Sequence, residues 1–215
     1  MPSTLVHVAL GGLVGCALLG VAFSSRAILV VLVAVAAVDL DTFLGWVVVG
    51  AHRSAFHSLL FPLAIGALVL WDVRVREDSW LVARFGSTAP RVAGVSVAAI
   101  AFAGIGPDLV TNGVNVLYPV HDQFYEVTGK TYLSDQQGFV QTFLDLGNEA
   151  EVDQANLGSS KERQYTTGAD RNPDRSGEPE VQERIFPLAG SGTQLLLVAT
   201  GAFVVAQRVV EDVRS

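Results

Sequence analysis

Residues 5–23 read LVHVALGGLVGCALLGVAF. Apart from His7 the run is apolar, and its length matches the roughly 20 residues with which a helix crosses a hydrocarbon core. This stretch sets the class, because a soluble domain has no use for so long an apolar helix. It lacks the basic start and small-residue cleavage site of a secretory signal, so it is expected to be retained.

Outward from it, four more apolar runs follow. Ala27–Val38 is short alone and reaches crossing length by borrowing Phe23–Arg26. The break Asp39-Leu40-Asp41-Thr42 then separates it from an interfacial Phe43–Gly50. A single kinked helix holding both aspartates at depth is the competing arrangement, disfavoured because a charge at mid-bilayer costs roughly 3 kcal/mol. The third run is Ser54–Trp71, with Ser54 as an N-cap and Pro62 as a kink. Arg91 to about Val110 is the fourth, loosened by Gly104, Gly106 and Pro107, and Thr193 to about Ala206 is the fifth. The expected fold is an all-α integral membrane protein of about five transmembrane helices, with a polar excursion between helices four and five. Three regions follow: a four-helix core over 1–118, the excursion over 119–192, and the fifth helix with its tail over 193–215.

Composition agrees. Half the residues are hydrophobic and only 16% are charged, against roughly 25% in an average soluble domain. The net charge of −7 resides in the excursion, since residues 119–192 hold 13 acids and 6 bases while the rest of the chain balances. That segment opens with hairpin character at Tyr125–Tyr132 around a glycine turn, and beyond Gly147 its polar composition predicts a flexible tract. Lysine occurs only at 130 and 161. Low lysine with surplus carboxylate suits an extreme halophile, although GC-rich coding gives the same bias. The lone Cys16 excludes an internal disulfide and a cysteine-based zinc finger.

Orientation follows from arginine. Arg26, then Arg74, Arg76, Arg84 and Arg91, then Arg208 and Arg214 occupy three regions that share one side in a five-helix count. The positive-inside rule makes that side cytoplasmic and the excursion extracytoplasmic, in a multi-pass plasma-membrane protein.

On the same map, His7 opens helix one, Asp39 and Asp41 close helix two, His52 and His57 open helix three, and Asp108 closes helix four. All fall at the outer face. Imidazoles with carboxylates form the usual nitrogen and oxygen shell of zinc, manganese or iron. Bland alternatives stand beside this. An interfacial histidine is often a polar tip meeting water, Asp39 and Asp41 alternatively mark a loop, and His52-Arg53 is commonly an exposed turn. Asp108 as a mere cap is disfavoured by the macrodipole at a helix C-terminus. His121 and Asp122 lie close enough in sequence to join.

The order of these motifs resembles a known family. His7, Val38-Asp39-Leu40-Asp41, the run His52-Arg53-Ser54-Ala55-Phe56-His57-Ser58-Leu59-Leu60, and Asp108-Leu109-Val110-Thr111 followed by Leu117-Tyr118-Pro119 are similar to the YdjM-like family. Its members are also labelled LexA-binding inner-membrane-associated hydrolases. The match covers residues 4–119. The resemblance implies hydrolysis with bound divalent metal, and a distant kinship with zinc-dependent phospholipase C and P1-type nuclease folds. Val38 and Thr42 depart from the family's Pro-Asp-x-Asp-His, and Gly104 stands where a histidine is usual.

The expected function is a membrane-bound, metal-dependent hydrolase of phosphoesters such as lipid headgroups. Zinc or a similar ion would be bound by His7, Asp39, Asp41, His52, His57 and Asp108, with Asp39 or Asp41 taking the proton from water. Partners are the bilayer and a lipid or phosphoester substrate; no nucleic acid is expected. A noncatalytic metal-stabilised scaffold and an ion-coupled transporter are the alternatives from other classes.

Overall fold

A computed structural model describes residues 2–48, 50–136, 138–141, 157–163, 165, 167–169 and 185–214. The chain is mostly helical. In order come α1 (Thr4–Leu18), α2 (Ser25–Ala36), a 3-10 turn (Ala37–Leu40) leading into α3 (Asp41–Leu44), α4 (Leu60–Arg74) and α5 (Trp80–Phe85). Next is α6 (Ala89–Ala99), which passes through a π-helical turn (Ile100–Ile105) into α7 (Gly106–Leu109). The strands β1 (Thr131–Ser134) and β2 (Gly138–Gln141) and the long α8 (Gly192–Arg214) complete it.

Among the described residues, three helical stretches are long and apolar enough to cross a membrane: Ser25–Leu44, Ala89–Leu109 and Gly192–Arg214, with mean hydropathies of 2.4, 1.7 and 1.5. The count of about five is not reached. α1 and α4 have 15 residues each, roughly 22 Å at 1.5 Å per residue, short of the ~30 Å hydrocarbon core.

Local chemistry explains three departures from the sequence expectation. Helix two does not break at Asp39, because its last turns tighten to 3-10 geometry and carry the chain helically through both aspartates to Leu44. The third helix starts at Leu60 rather than Ser54. Arg53 takes a left-handed backbone (φ 63°), and the segment after it is tied sideways instead of coiling. Asn115 N donates to Arg53 O at 3.0 Å, and Leu59 N and Ser58 Oγ both donate to Val116 O, at 2.9 and 3.1 Å. Pro62 consequently lies in the first turn of α4, where a missing N–H costs nothing, and makes no mid-helix kink. The hairpin forms at 131–141 rather than 125–132, with Ser134 facing Gly138 across its turn. Gly138 adopts φ 71°, a backbone that favours glycine. The tract beyond Gly147 expected to be flexible lies largely outside the described residues.

α1 is the hub, packing against α2, α6 with its π turn, and α8. Helices in lipid gain little from apolar burial and associate through close backbone approach at small residues. Gly15 admits Ile28 of α2, whose Cδ1 would lie 2.5 Å from an added Cβ. Gly201 of α8 sits on Ala9, whose carbonyl oxygen would lie 2.6 Å away. Val31, Val35, Ala99 and Ala103, with Leu19, form the core between these helices.

The two ends of the bundle differ in chemistry. At one, Arg91 donates to Leu18 O through Nε (2.9 Å) and Nη2 (2.6 Å). Asp212 of α8 accepts there from Ser25 N (2.8 Å) and Oγ (2.7 Å), and Arg208 stacks over Phe23. The opposite end gathers the start of α1, the end of α2 with α3, the loop before α4, and α7. Part of the acidic excursion folds back onto it. Phe124 is fully buried and exchanges backbone hydrogen bonds with Leu157 and Gly158, each 2.9 Å, and Ser160 packs so tightly on Gly50 that no side chain fits there.

Candidate functional site

The proline that ends the π turn prepares the first donor. Pro107 has no N–H to offer the Ala103 carbonyl four residues earlier, and that carbonyl accepts a 2.8 Å hydrogen bond from His7 Nδ1. The proton on Nδ1 leaves Nε2 of His7 as a lone pair. His7 is 2% exposed.

Asp41 performs the same service for two more histidines. Fully buried, it accepts from His57 Nδ1 (2.7 Å) and His52 Nδ1 (2.8 Å), and from Arg53 N (3.1 Å). Thr42 Oγ1 lies 3.1 Å from the same His52 nitrogen. A carboxylate only accepts, so both rings carry hydrogen at Nδ1, which in the neutral ring makes Nε2 the lone-pair nitrogen. A buried carboxylate behind an imidazole is the arrangement that orients metal-binding histidines.

The freed nitrogens meet carboxylates. His57 Nε2 lies 3.1 Å from Asp108 Oδ2 and 3.4 Å from Asp39 Oδ1, and His7 Nε2 lies 3.5 Å from Asp108 Oδ2. His57 Nε2 is nevertheless buried without a hydrogen-bond partner, as are Asp39 Oδ2 and His52 Nε2. Donors about 2.0–2.1 Å from a tetrahedral zinc stand roughly 3.3–3.4 Å from one another, which the three separations bracket. Among the described residues, no group of three or more His, Cys, Asp or Glu side chains is placed so that it could hold a metal ion. The convergence is therefore pairwise, from α1, the 3-10 turn, the loop before α4, and α7.

Asp108 is completed by Arg53, whose Nη2 donates to its other oxygen, Oδ1. Arg53 is 1% exposed, donates from Nη1 to Gly113 O (3.4 Å), and lies under the ring of Tyr165, 4.6 Å from its centroid. Three carboxylates against one guanidinium leave this buried group two negative charges in excess.

Of the sequence candidates, the structure brings His7, Asp39, His57 and Asp108 into contact, sets Asp41 behind the two rings, and attaches His52 through Asp41. His121 and Asp122 do not join. His121 shares a 2.9 Å hydrogen bond with Tyr125 OH on the surface. Asp122 accepts from Ser160 N and Oγ and from Asn115 Nδ2; burial works against its charge, and these hydrogen bonds with nearby Lys161 outweigh it and lower its pKa. At Gly104, where the resemblance implies a histidine, an added Cβ would stand 3.1 Å from Val38 Cγ2, so a side chain there requires Val38 to shift. Sequence reading missed Arg53, taken as an exposed turn, and Tyr165. No local pattern marks either, since their partners lie 55 and 53 residues away.

Above the group opens a cavity of about 710 Å³, lined at its base by Asp39, His52, Arg53 and Asp108. No curated protein and no solved structure matches the chain. A family model described as YdjM inner membrane protein matches residues 1–162, which contain every donor of this group. The chain therefore belongs to the YdjM family of inner membrane proteins.

Proposed function

We propose that the protein is a membrane-bound, metal-dependent hydrolase of phosphoesters, with His7, His57, Asp39 and Asp108 holding a divalent ion, zinc before manganese or iron. The observation that carries this is the approach of two Nε2 atoms, each on a ring whose Nδ1 is held by an acceptor, to two carboxylates at 3.1–3.5 Å, with no hydrogen bond completing His57. The excess of two negative charges in a buried place supports a divalent cation, since unpaired buried charge is costly. When bound, such an ion polarises an ester oxygen and makes a neighbouring water easier to deprotonate.

The chain's own residues divide the remaining work. Asp41 holds His52 and His57 in the productive tautomer; with both oxygens engaged, it is an orienting residue rather than the proton acceptor. Asp39, whose Oδ2 is buried and unpaired, accepts the proton of the attacking water. Arg53 lines the cavity floor, and its buried, unpartnered Nε offers a donor to an anionic phosphoryl group. Crossing by α1 and α4, and an extracytoplasmic position for the site, belong to the same proposal.

The test is metal analysis of protein purified in nanodiscs, followed by a phosphodiester and phospholipid hydrolysis screen with Asp39→Ala alongside. Bound zinc with turnover that Asp39→Ala abolishes is the expected result. Metal without turnover makes the protein a metal-stabilised scaffold, and absence of metal overturns the proposal in favour of transport.

A further inference from the structure

The cavity has a polar floor and an apolar wall, and the wall has an unexpected source. Leu5 of α1 and Leu40 and Phe43 at the end of the second helical stretch face it from the family-matched part of the chain. Ile185, Phe186 and Leu188 supply the other side, from residues beyond the match, which ends at 162. Ser3 Oγ pins this second side in place by donating to Leu188 O at 2.6 Å. All six apolar side chains are exposed, from 44% at Leu5 to 69% at Leu188, and they line one cavity that also holds Asp39 and Arg53.

We propose that Ile185, Phe186 and Leu188, with Leu5, Leu40 and Phe43, hold the hydrocarbon chain of an amphiphilic phosphoester whose head reaches Arg53 and Asp39. The head's placement rests on the hydrolase proposal; the chain's placement does not. A wholly polar, water-soluble ester gains nothing from this wall, whereas each methylene buried against it is worth about fourfold in affinity. The volume of about 710 Å³ suits one small amphiphile. Its source is the bilayer, because Leu40, Phe43 and Asp108 are among the last residues of two membrane-length helices, so that a lipid enters sideways with its head at the site. The segment outside the family match thereby sets this chain's preference for lipid-derived over soluble esters.

The experiment uses full-length protein in nanodiscs, a photoactivatable diazirine analogue of dodecyl phosphate, and the pair dodecyl phosphate and ethyl phosphate as substrates. Labelling is expected at 185–188 and 40–43, reduced at least tenfold in an Ile185→Ser, Phe186→Ser double variant. The dodecyl-to-ethyl preference in kcat/KM should fall about tenfold in that variant, with the change in KM. Labels confined to outward faces of the long helices, or an unchanged chain-length preference, overturn the proposal. Labelling that persists in Asp39→Asn while no variant hydrolyses either ester upholds chain binding and removes the hydrolase reading alone.

Discussion

Asp41→Asn separates orientation from ligation. In the native site one carboxylate takes an N–H from each of two imidazoles, at 2.7 and 2.8 Å, and a third from Arg53 N at 3.1 Å. Asparagine keeps the volume but replaces one acceptor oxygen with an NH2 donor. One ring then meets a donor with its own Nδ1–H. It either loses a hydrogen bond to a charged group, about 1.5–3 kcal/mol, or moves its proton to Nε2 and loses the lone pair that the cluster uses. At about 1.4 kcal/mol per decade, the predicted consequence is roughly 10- to 150-fold weaker zinc binding, which overlaps the roughly 10- to 100-fold typical when partners behind metal ligands are mutated. Zinc titration in nanodiscs measures the affinity, and ¹⁵N spectra of histidine-labelled protein read the tautomers independently. Unchanged affinity with both rings still protonated at Nδ1 would refute the orienting role.

Two further predictions probe the surroundings. Gly104→His, which restores the family's residue, should lower thermal stability by about 1–3 kcal/mol through overpacking against Val38, without tightening zinc binding; a higher Tm or tighter binding contradicts the packing argument. Asp122 has a lowered pKa in the folded protein, so its contribution is complete above the ordinary carboxylate value and is lost as pH falls through the lowered one. Limited proteolysis near 157–163 should accelerate on acidification in that window, while Asp122→Asn should be cut readily at every pH; equal protection of the variant would show that Asp122 does not anchor this segment.

The sequence by itself determined that this chain is a membrane protein and singled out histidines and aspartates that the fold gathers at one end of the bundle. A run of nineteen residues that is apolar apart from one histidine, and His7, Asp39, Asp41, His52, His57 and Asp108 placed where apolar runs begin or end, are local facts that follow from the cost of polar groups in hydrocarbon. Tertiary structure decided the rest. Whether Asp41 ligates or orients depends on which nitrogens reach it, and these come from residues 11 and 16 positions later across a turn set by the left-handed backbone of Arg53. The late start of α4 and the burial of Arg53 likewise follow from bonds to residues 113–116 and 108, which no periodicity reports. The cavity wall at 185–188 is invisible in sequence for the same reason: an apolar tetrapeptide in a polar segment has no period, and only the fold places it opposite the start of α1.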